Sequence, residues 1–196
     1  MLDTHARKYV QPIIGNMAKG LLKLGLSANQ VTWAAFLLGL STGFLVVFNH
    51  PYLAVLILWI SGYLDAVDGS MARLTQKTTP WGTLLDITFD RIVELSVIIG
   101  LAAKFPEARF LLLLLTASIV FSMTVFLTVG ALTEKKGIKS FYYQAGLAER
   151  TEGFILFSLM IILSQWLLWL TAIFLAVEMF TALQRMWEAK RILKDL

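Results

Sequence analysis

Long apolar runs separated by short polar segments constrain this 196-residue chain more than any other feature of its sequence. A helix needs about 20 mostly apolar residues to cross the hydrocarbon core of a bilayer, and a spanning backbone must satisfy its own hydrogen bonds. Hydrophobic residues make up 58% of the chain and charged residues 15%, whereas soluble domains average nearer half and a quarter. We therefore expect an all-α integral membrane protein that forms a single domain over residues 1–196.

The apolar pattern predicts six transmembrane helices, preceded by an amphipathic juxtamembrane helix within residues 1–30. That first segment alternates apolar and basic residues, as is typical of a helix lying in the headgroup plane. The last apolar stretch is too long for one span, and we divide it at Ser164-Gln165. Span 5 then reaches full length only if residues 145–152, which include charged side chains, continue the helix into a polar environment. The predicted spans are residues 31–48, 53–73, 82–103, 110–132, 145–164 and 166–187.

Lysine and arginine residues fall mainly on one side of the predicted spans. Thirteen lie in the N-terminal segment, the span 2–3 loop, the span 4–5 loop and the tail, and two lie in the opposite connections. Positive charge marks the cytoplasmic side, so we expect an inner-membrane protein with both termini and the span 2–3 loop in the cytoplasm. The basic residues form no stripe of the kind that binds nucleic acid, and we expect no nucleic-acid partner. The thirteen are Arg7, Lys8, Lys19, Lys23, Arg73, Lys77, Lys135, Lys136, Lys139, Arg185, Lys190, Arg191 and Lys194, and the two are Lys104 and Arg109.

Four aspartates lie around the span 2–3 loop, in the pattern D-x2-D-G-x2-A-R-x8-G-x3-D-x3-D. Asp65 and Asp68 are spaced i, i+3 and Asp86 and Asp90 are spaced i, i+4, so each pair projects from one face of its helix. Four converging carboxylates cannot all stay ionised unless cations neutralise them. Oxygen ligands suit hard divalent ions. The pattern therefore predicts one or two Mg²⁺ or Mn²⁺ ions and a metal-dependent membrane enzyme.

A membrane cation transporter could also use four carboxylates, as its ion-binding site. Such a protein would distribute acidic residues across the membrane, because the ion must pass from one side to the other. Here the acids are clustered at one face, next to a Gly-Ala-Arg pattern that ion binding does not require. We therefore favour catalysis and keep transport as the alternative.

The complete pattern resembles the signature of the class I CDP-alcohol phosphatidyltransferases, which make phospholipids from CDP-diacylglycerol. A second resemblance lies in Leu26-Ser-Ala-Asn-Gln-Val-Thr32, where Ala28 stands in place of the proline usual in the family. The resemblance implies that the four aspartates hold two divalent ions, with Asp86 and Asp90 catalytic and Asp90 acting also as general base. It further implies transfer of a phosphatidyl group to a hydroxyl acceptor, release of CMP, and a homodimer.

The resemblance also assigns contacts with the CDP-lipid to residues around the motif. Arg73 offers bidentate donors that match phosphate oxygens, although it could instead be an anchor on the cytoplasmic side. Gly69 could simply permit close helix packing. The implied contacts are Asn29, Gln30, Val31, Thr32, Gly69, Ala72, Arg73, Thr79 and Gly82.

Basic residues of the later spans are the candidates for binding the acceptor, which we expect to be a small polar alcohol. Family members that use phosphorylated acceptors place basic residues in corresponding positions, so we favour a phosphorylated polyol such as glycerol 3-phosphate or inositol phosphate. Serine is an alternative acceptor, and a phosphohydrolase that transfers the group to water is another. The lysines could instead be topology anchors, and Arg150 could pair with a neighbouring glutamate. The candidates are Lys135, Lys139, Arg150 and Arg185.

Overall fold

The computed structural model describes residues 2–133 and 150–193, which form helices joined by short turns, with no strand among these residues. The predicted acceptor residues Lys135 and Lys139 lie outside the described residues. The α-helices are α1 (Leu2–Lys23), α2 (Ala28–Val47), α3 (Pro51–Leu74), α4 (Pro80–Lys104), α5 (Arg109–Leu132), α6 (Arg150–Ile162) and α7 (Leu167–Ile192), with short 3₁₀ helices at Pro106–Ala108 and Ser164–Trp166.

Four of the described helical segments are long and apolar enough to cross a membrane: Ala28–Val47, Pro51–Leu74, Pro106–Leu132 and Ser164–Ile192. The helix α4 also has spanning length, with 25 residues, but it carries charged side chains near its middle. Only 13 residues of α6 are described. Four of the six predicted spans therefore correspond to helices of spanning length and apolarity, and the six-span count stays a prediction. The predicted break at Ser164-Gln165 is present as a 3₁₀ turn.

The helices fall into two compact parts, the first covering Thr4–Pro106. In this part α2 packs against both α3 and α4. Glycines of α2 make this approach possible, because a β-carbon on Gly39 would lie 2.5 Å from Ser61 Oγ of α3 and 2.5 Å from Val93 of α4. A β-carbon on Gly43 would overlap the backbone carbonyl of Ser96 in α4. Small residues at such positions let helix backbones approach closely in membrane proteins.

The N-terminal helix α1 packs with part of its surface on the same bundle. Ala18 is fully buried in a cluster with Val31 of α2 and with Val67 and Met71 of α3. On another side of α1, large apolar residues including Ile13 remain exposed. A helix is therefore present where the juxtamembrane helix was predicted, and one of its faces packs against the protein.

Three helices of this part end with a residue in the left-handed conformation: Gly25 (φ 80°), Asn49 (φ 64°) and Gln76 (φ 54°). Each end has the double hydrogen bond of a Schellman motif. After α3, Gln76 N–H donates to the Arg73 carbonyl at 3.2 Å and Lys77 N–H donates to the Ala72 carbonyl at 3.0 Å. This motif stops α3 directly after the first half of the aspartate pattern and turns the chain towards α4.

In the second part, which contains residues 107–133 and 150–193, α5 and α6 both pack on α7. Phe157 of α6 and Phe174 of α7 form an edge-to-face pair with ring centroids 5.0 Å apart. The buried faces of α5 and α7 also include polar side chains. Those of α5 are Ser118 and Ser122, and those of α7 are Thr171, Glu178, Thr181 and Arg185.

Candidate functional site

The first two aspartates of the pattern lie on the buried side of α3. Pro51 stands in the first turn of this helix, where its missing N–H costs nothing. From there the buried positions recur along one face, and Asp65 and Asp68 fall on it with exposed fractions of 8% and 5%. Carboxylates at this depth need compensation by a partner or a cation.

The second pair lies on α4, whose start is fixed by Thr79. The Thr79 hydroxyl oxygen accepts a hydrogen bond from Gly82 N–H at 3.0 Å, and Pro80 occupies the first turn. Asp86 and Asp90 follow one turn apart on the same face, Asp86 exposed and Asp90 half-buried. The cap thus sets the register of the helix that carries both residues.

The structure brings three of the four aspartates together. One carboxylate oxygen from each of Asp65, Asp68 and Asp86 lies within 4.8 Å of the other two. That separation is little more than twice a metal–oxygen bond of about 2.1 Å, so these three residues could together hold one ion. Asp90 is not in this group of three, although it stands one turn further along α4. The donor set consists of hard oxygens, which fits Mg²⁺ or Mn²⁺.

A further acidic residue continues this face of α4. Glu94 follows Asp90 at the same i+4 spacing, is 8% exposed, and forms an ion pair with Arg91, with Oε1 and Nη2 2.6 Å apart. The sequence analysis missed this pair, although the repeat of acids at positions 86, 90 and 94 is visible in the sequence.

Three of the residues expected to contact the CDP-lipid lie together near the start of α4. A β-carbon on Gly82 would lie 3.3 Å from Thr79 Oγ1 and 4.0 Å from Asn29 Oδ1. The absence of a side chain at Gly82 therefore leaves space between these two polar groups. On α3, the open side of Gly69 faces the Arg73 side chain, because a β-carbon on Gly69 would lie 3.4 Å from Arg73 Nη1.

The other expected lipid contacts at the start of α2 also have structural contacts. Ser27 and Gln30 form a capping box, in which Ser27 N–H donates to Gln30 Oε1 at 2.9 Å and Gln30 N–H donates to Ser27 Oγ at 3.4 Å. Val31 is buried in the apolar cluster with α1 and α3. The Thr32 hydroxyl donates to the Ala28 carbonyl at 3.1 Å. Of residues 29–32, Asn29 is the one whose side chain lies beside Gly82.

Two of the four expected acceptor residues lie among the described residues, both in the second part. Arg185 of α7 is 7% exposed, donates from Nη1 to Ser122 Oγ of α5 at 3.0 Å, and lies 5.1 Å from the centroid of the Phe126 ring. Arg150 of α6 is half-buried, with its guanidinium 5.4 Å from the Phe154 ring centroid. A serine hydroxyl and an aromatic face thus both contact the Arg185 guanidinium.

The family model described as CDP-alcohol phosphatidyltransferase matches residues 26–184. The inner membrane protein YnjF of Escherichia coli (strain K12) is 29% identical over 204 residues, which cover 100% of this chain and 98% of that protein. The archaetidylinositol phosphate synthase of Pyrococcus horikoshii is 36% identical over 102 residues, or 52% of this chain and 54% of the enzyme. The chain thus matches about half the length of this archaeal relative.

Among solved structures, the fold is similar to that of the Mycobacterium tuberculosis phosphatidylinositol phosphate synthase PgsA1. The comparison with its CDP-DAG-bound form gives a TM-score of 0.77 at 21% identity, covering 91% of this chain and 94% of that chain. The form in complex with manganese and citrate gives a TM-score of 0.75 at 21% identity, covering 90% and 88%. At this identity the similarity is evidence for a common fold.

Proposed function

This chain belongs to the CDP-alcohol phosphatidyltransferase family, and on that premise we propose that it transfers a phosphatidyl group from CDP-diacylglycerol to a phosphorylated polyol, releasing CMP. The observation that carries the proposal is the group of carboxylate oxygens from Asp65, Asp68 and Asp86 within 4.8 Å of one another. These residues come from the two halves of the aspartate pattern that resembles the family signature.

We infer that Asp65, Asp68, Asp86 and Asp90 hold two divalent ions, Mg²⁺ or Mn²⁺. The support is the chemistry of the donor set and the similar fold of an enzyme solved with manganese. When bound, such ions neutralise the pyrophosphate of the CDP-lipid and stabilise the leaving CMP. The aspartates themselves supply the negative charge that attracts the ions and fix their position relative to α3 and α4.

Asp90 has a second proposed role as general base. A hydroxyl acceptor must lose its proton as its oxygen attacks phosphorus, and a carboxylate within hydrogen-bonding reach can accept that proton. Asp90 stands one turn beyond Asp86 and is half-buried. That position suits a group which contacts the metal site and is also open to an acceptor.

We assign the binding of the CDP-lipid to polar groups on both sides of the aspartates. Arg73 supplies guanidinium donors for the phosphates, and Asn29 and Thr79 supply short polar side chains around the gap at Gly82. The mycobacterial enzyme of similar fold has been solved with CDP-DAG bound, which supports a CDP-lipid as the donor substrate. Gln30, Val31, Thr32, Gly69 and Ala72 then shape this region through their helix contacts.

For the acceptor we propose a phosphorylated polyol, with inositol phosphate placed first. Two relatives by sequence or fold are named as synthases of an inositol phosphate lipid. Arg150 and Arg185 provide guanidinium groups suited to a phosphate monoester, together with Lys135 and Lys139. Serine offers no phosphate to such a set of residues, so it is the second candidate.

The chain is a multi-pass membrane protein. We further propose that it lies in the inner membrane with both termini and the aspartates facing the cytoplasm, as a homodimer. The distribution of lysine and arginine supports this orientation.

The function is tested by incubating the purified protein with CDP-diacylglycerol and Mn²⁺ and measuring CMP release with a panel of acceptors. The panel contains inositol phosphate, glycerol 3-phosphate, serine and no acceptor, and Asp90→Asn is the inactive control. We expect release that depends on a phosphorylated polyol. Equal release without acceptor would identify a hydrolase, and no release with any acceptor would favour the transport alternative.

A further inference from the structure

A partly buried ion pair lies in α4 just beyond the candidate metal site. Asp86, Asp90 and Glu94 repeat at i+4 along the helix, and their burial increases in that order from exposed to half-buried to buried. Glu94 therefore stands one turn deeper than Asp90 on nearly the same face. An ionisable side chain at such depth in a membrane helix is usually functional.

Arg91 is the cation that the structure places on Glu94. Their charged groups are 2.6 Å apart, with the two side chains 30% and 11% exposed, and Arg91 Nε is buried. The helix α2, which packs on α4, carries no charged residue in Ala28–Val47, so it offers neither group a counter-ion. Arg91 is also the residue next to Asp90, which brings a full positive charge close to a group proposed to bind a cation.

We propose that Glu94 is a positioning residue which neutralises Arg91, so that no net positive charge opposes metal binding at Asp86 and Asp90. The inference rests on the proposed metal site and extends it by one residue. A positive charge one helical turn from a metal ion repels it, and a neutral ion pair does not. The aspartates then keep their full attraction for the ion.

The direction of the change in Mn²⁺ affinity distinguishes the neutralisation of Arg91 from a purely structural role of Glu94. In Glu94→Gln the positive charge of Arg91 is left uncompensated, and we expect Mn²⁺ to bind at least about 10-fold more weakly, because a nearby unit positive charge repels the divalent ion. In Arg91→Gln the negative charge of Glu94 remains, and Mn²⁺ should bind more tightly. The double variant Arg91→Gln/Glu94→Gln loses both charges, and Glu94→Asp keeps both. Each of these two variants should bind Mn²⁺ as tightly as the wild type does.

The experiment titrates Mn²⁺ into each purified variant in detergent and follows free Mn²⁺ by electron paramagnetic resonance, with thermal unfolding as the measure of folding. Glu107→Gln, which removes an exposed acid from the 3₁₀ helix Pro106–Ala108, controls for a change in net charge. Unchanged affinity in Glu94→Gln, or a double variant as weak as Glu94→Gln, would overturn the inference. If Glu94→Gln does not fold, weaker Mn²⁺ binding by Arg91→Gln would overturn it as well.

The same titration separates this inference from the proposed function. Asp86→Asn removes a proposed ligand and should weaken Mn²⁺ binding whatever Glu94 does. If Asp86→Asn binds Mn²⁺ as the wild type does, the proposed metal site is wrong. If Asp86→Asn binds weakly and Glu94→Gln binds normally, only the role of Glu94 is wrong.

Discussion

The backbones of Gly43 in α2 and Gly100 in α4 are in direct contact. A β-carbon on Gly100 would lie 2.5 Å from the carbonyl oxygen of Gly43 and 2.9 Å from its Cα. This crossing holds α4, which carries Asp86 and Asp90, against α2. Neither helix can move away from the other here without opening a gap in the bundle, because no side chain fills the contact.

Replacing Gly100 by alanine should destabilise the protein, since a methyl group would overlap backbone atoms that cannot rotate away. Overpacking of this kind typically costs about 1–3 kcal/mol. Thermal unfolding in detergent measures the effect. The matched control is Gly20→Ala in α1, where a β-carbon meets nothing within 4 Å, and we expect it to be neutral or stabilising by about 0.5–1 kcal/mol. Equal stability of both variants would contradict the close crossing.

Asp86→Asn and Asp90→Asn should each abolish CMP release while the protein remains folded. The first loses a metal ligand, and the second loses a ligand and the proposed base, whose proton transfer alone is worth about 10²–10⁴-fold. Glu107→Gln, at an exposed acid outside the pattern, should keep wild-type turnover. An Asp90→Asn enzyme that retained about a third of the wild-type rate would argue against the assignment.

Removal of divalent metal should stop the reaction. We expect EDTA to abolish CMP release and excess Mg²⁺ or Mn²⁺ to restore it, because the proposed ligands are hard oxygens that favour these ions. The control is a dialysed sample that has not been exposed to EDTA and is assayed with the same added metal. Turnover that survives exhaustive chelation would require a mechanism without metal.

Arg150→Gln and Arg185→Gln should each raise the KM for a phosphorylated acceptor and leave the KM for CDP-diacylglycerol nearly unchanged. A charge-assisted contact to one substrate is worth about 1.5–3 kcal/mol, which corresponds to a change of about 10–150-fold. Lys190→Gln is the matched control, because Lys190 is exposed in the last turn of α7. Equal effects on both substrates would show that the arginines only support the fold.

Membrane orientation can be tested by cysteine labelling, since the chain contains no native cysteine. Lys77→Cys, in the turn before α4, should react only with reagents that reach the cytoplasmic face, and Pro106→Cys only from the opposite face. Both positions are exposed. Reaction of both from the same side would rule out a membrane crossing by α4 and the six-span topology.

The sequence predicted the helices of the first part closely because apolar runs bounded by proline, capping residues and turn residues determine where a helix begins and ends. The predicted span 53–73 corresponds to Pro51–Leu74, and the predicted span 82–103 corresponds to Pro80–Lys104. The family assignment from the aspartate pattern is confirmed. The helix boundaries and the aspartate pattern both depend on local spacing along the chain, so a single sequence is enough to predict them.

The partner that each side chain or glycine takes in the folded protein could not be predicted. The spacing of Gly39 and Gly43 is visible in the sequence, but the contact of Gly43 with Gly100 depends on how α2 and α4 cross. Gln30 forms a capping box with Ser27, and its expected contact with the CDP-lipid stays a prediction. The pairing of Glu94 with Arg91 was missed because i, i+3 spacing permits an ion pair but does not determine which partner a charged side chain takes.

The turn Thr75–Thr79 joins the two helices that carry all four aspartates. Closing so short a connection costs little chain entropy, and a growing polypeptide folds from its N-terminal end. During biosynthesis the proposed metal ligands therefore leave the ribosome and can converge before α6 and α7 have been translated. A metal ion available at that stage could bind the nascent hairpin and help to hold its acidic face together while the later helices insert.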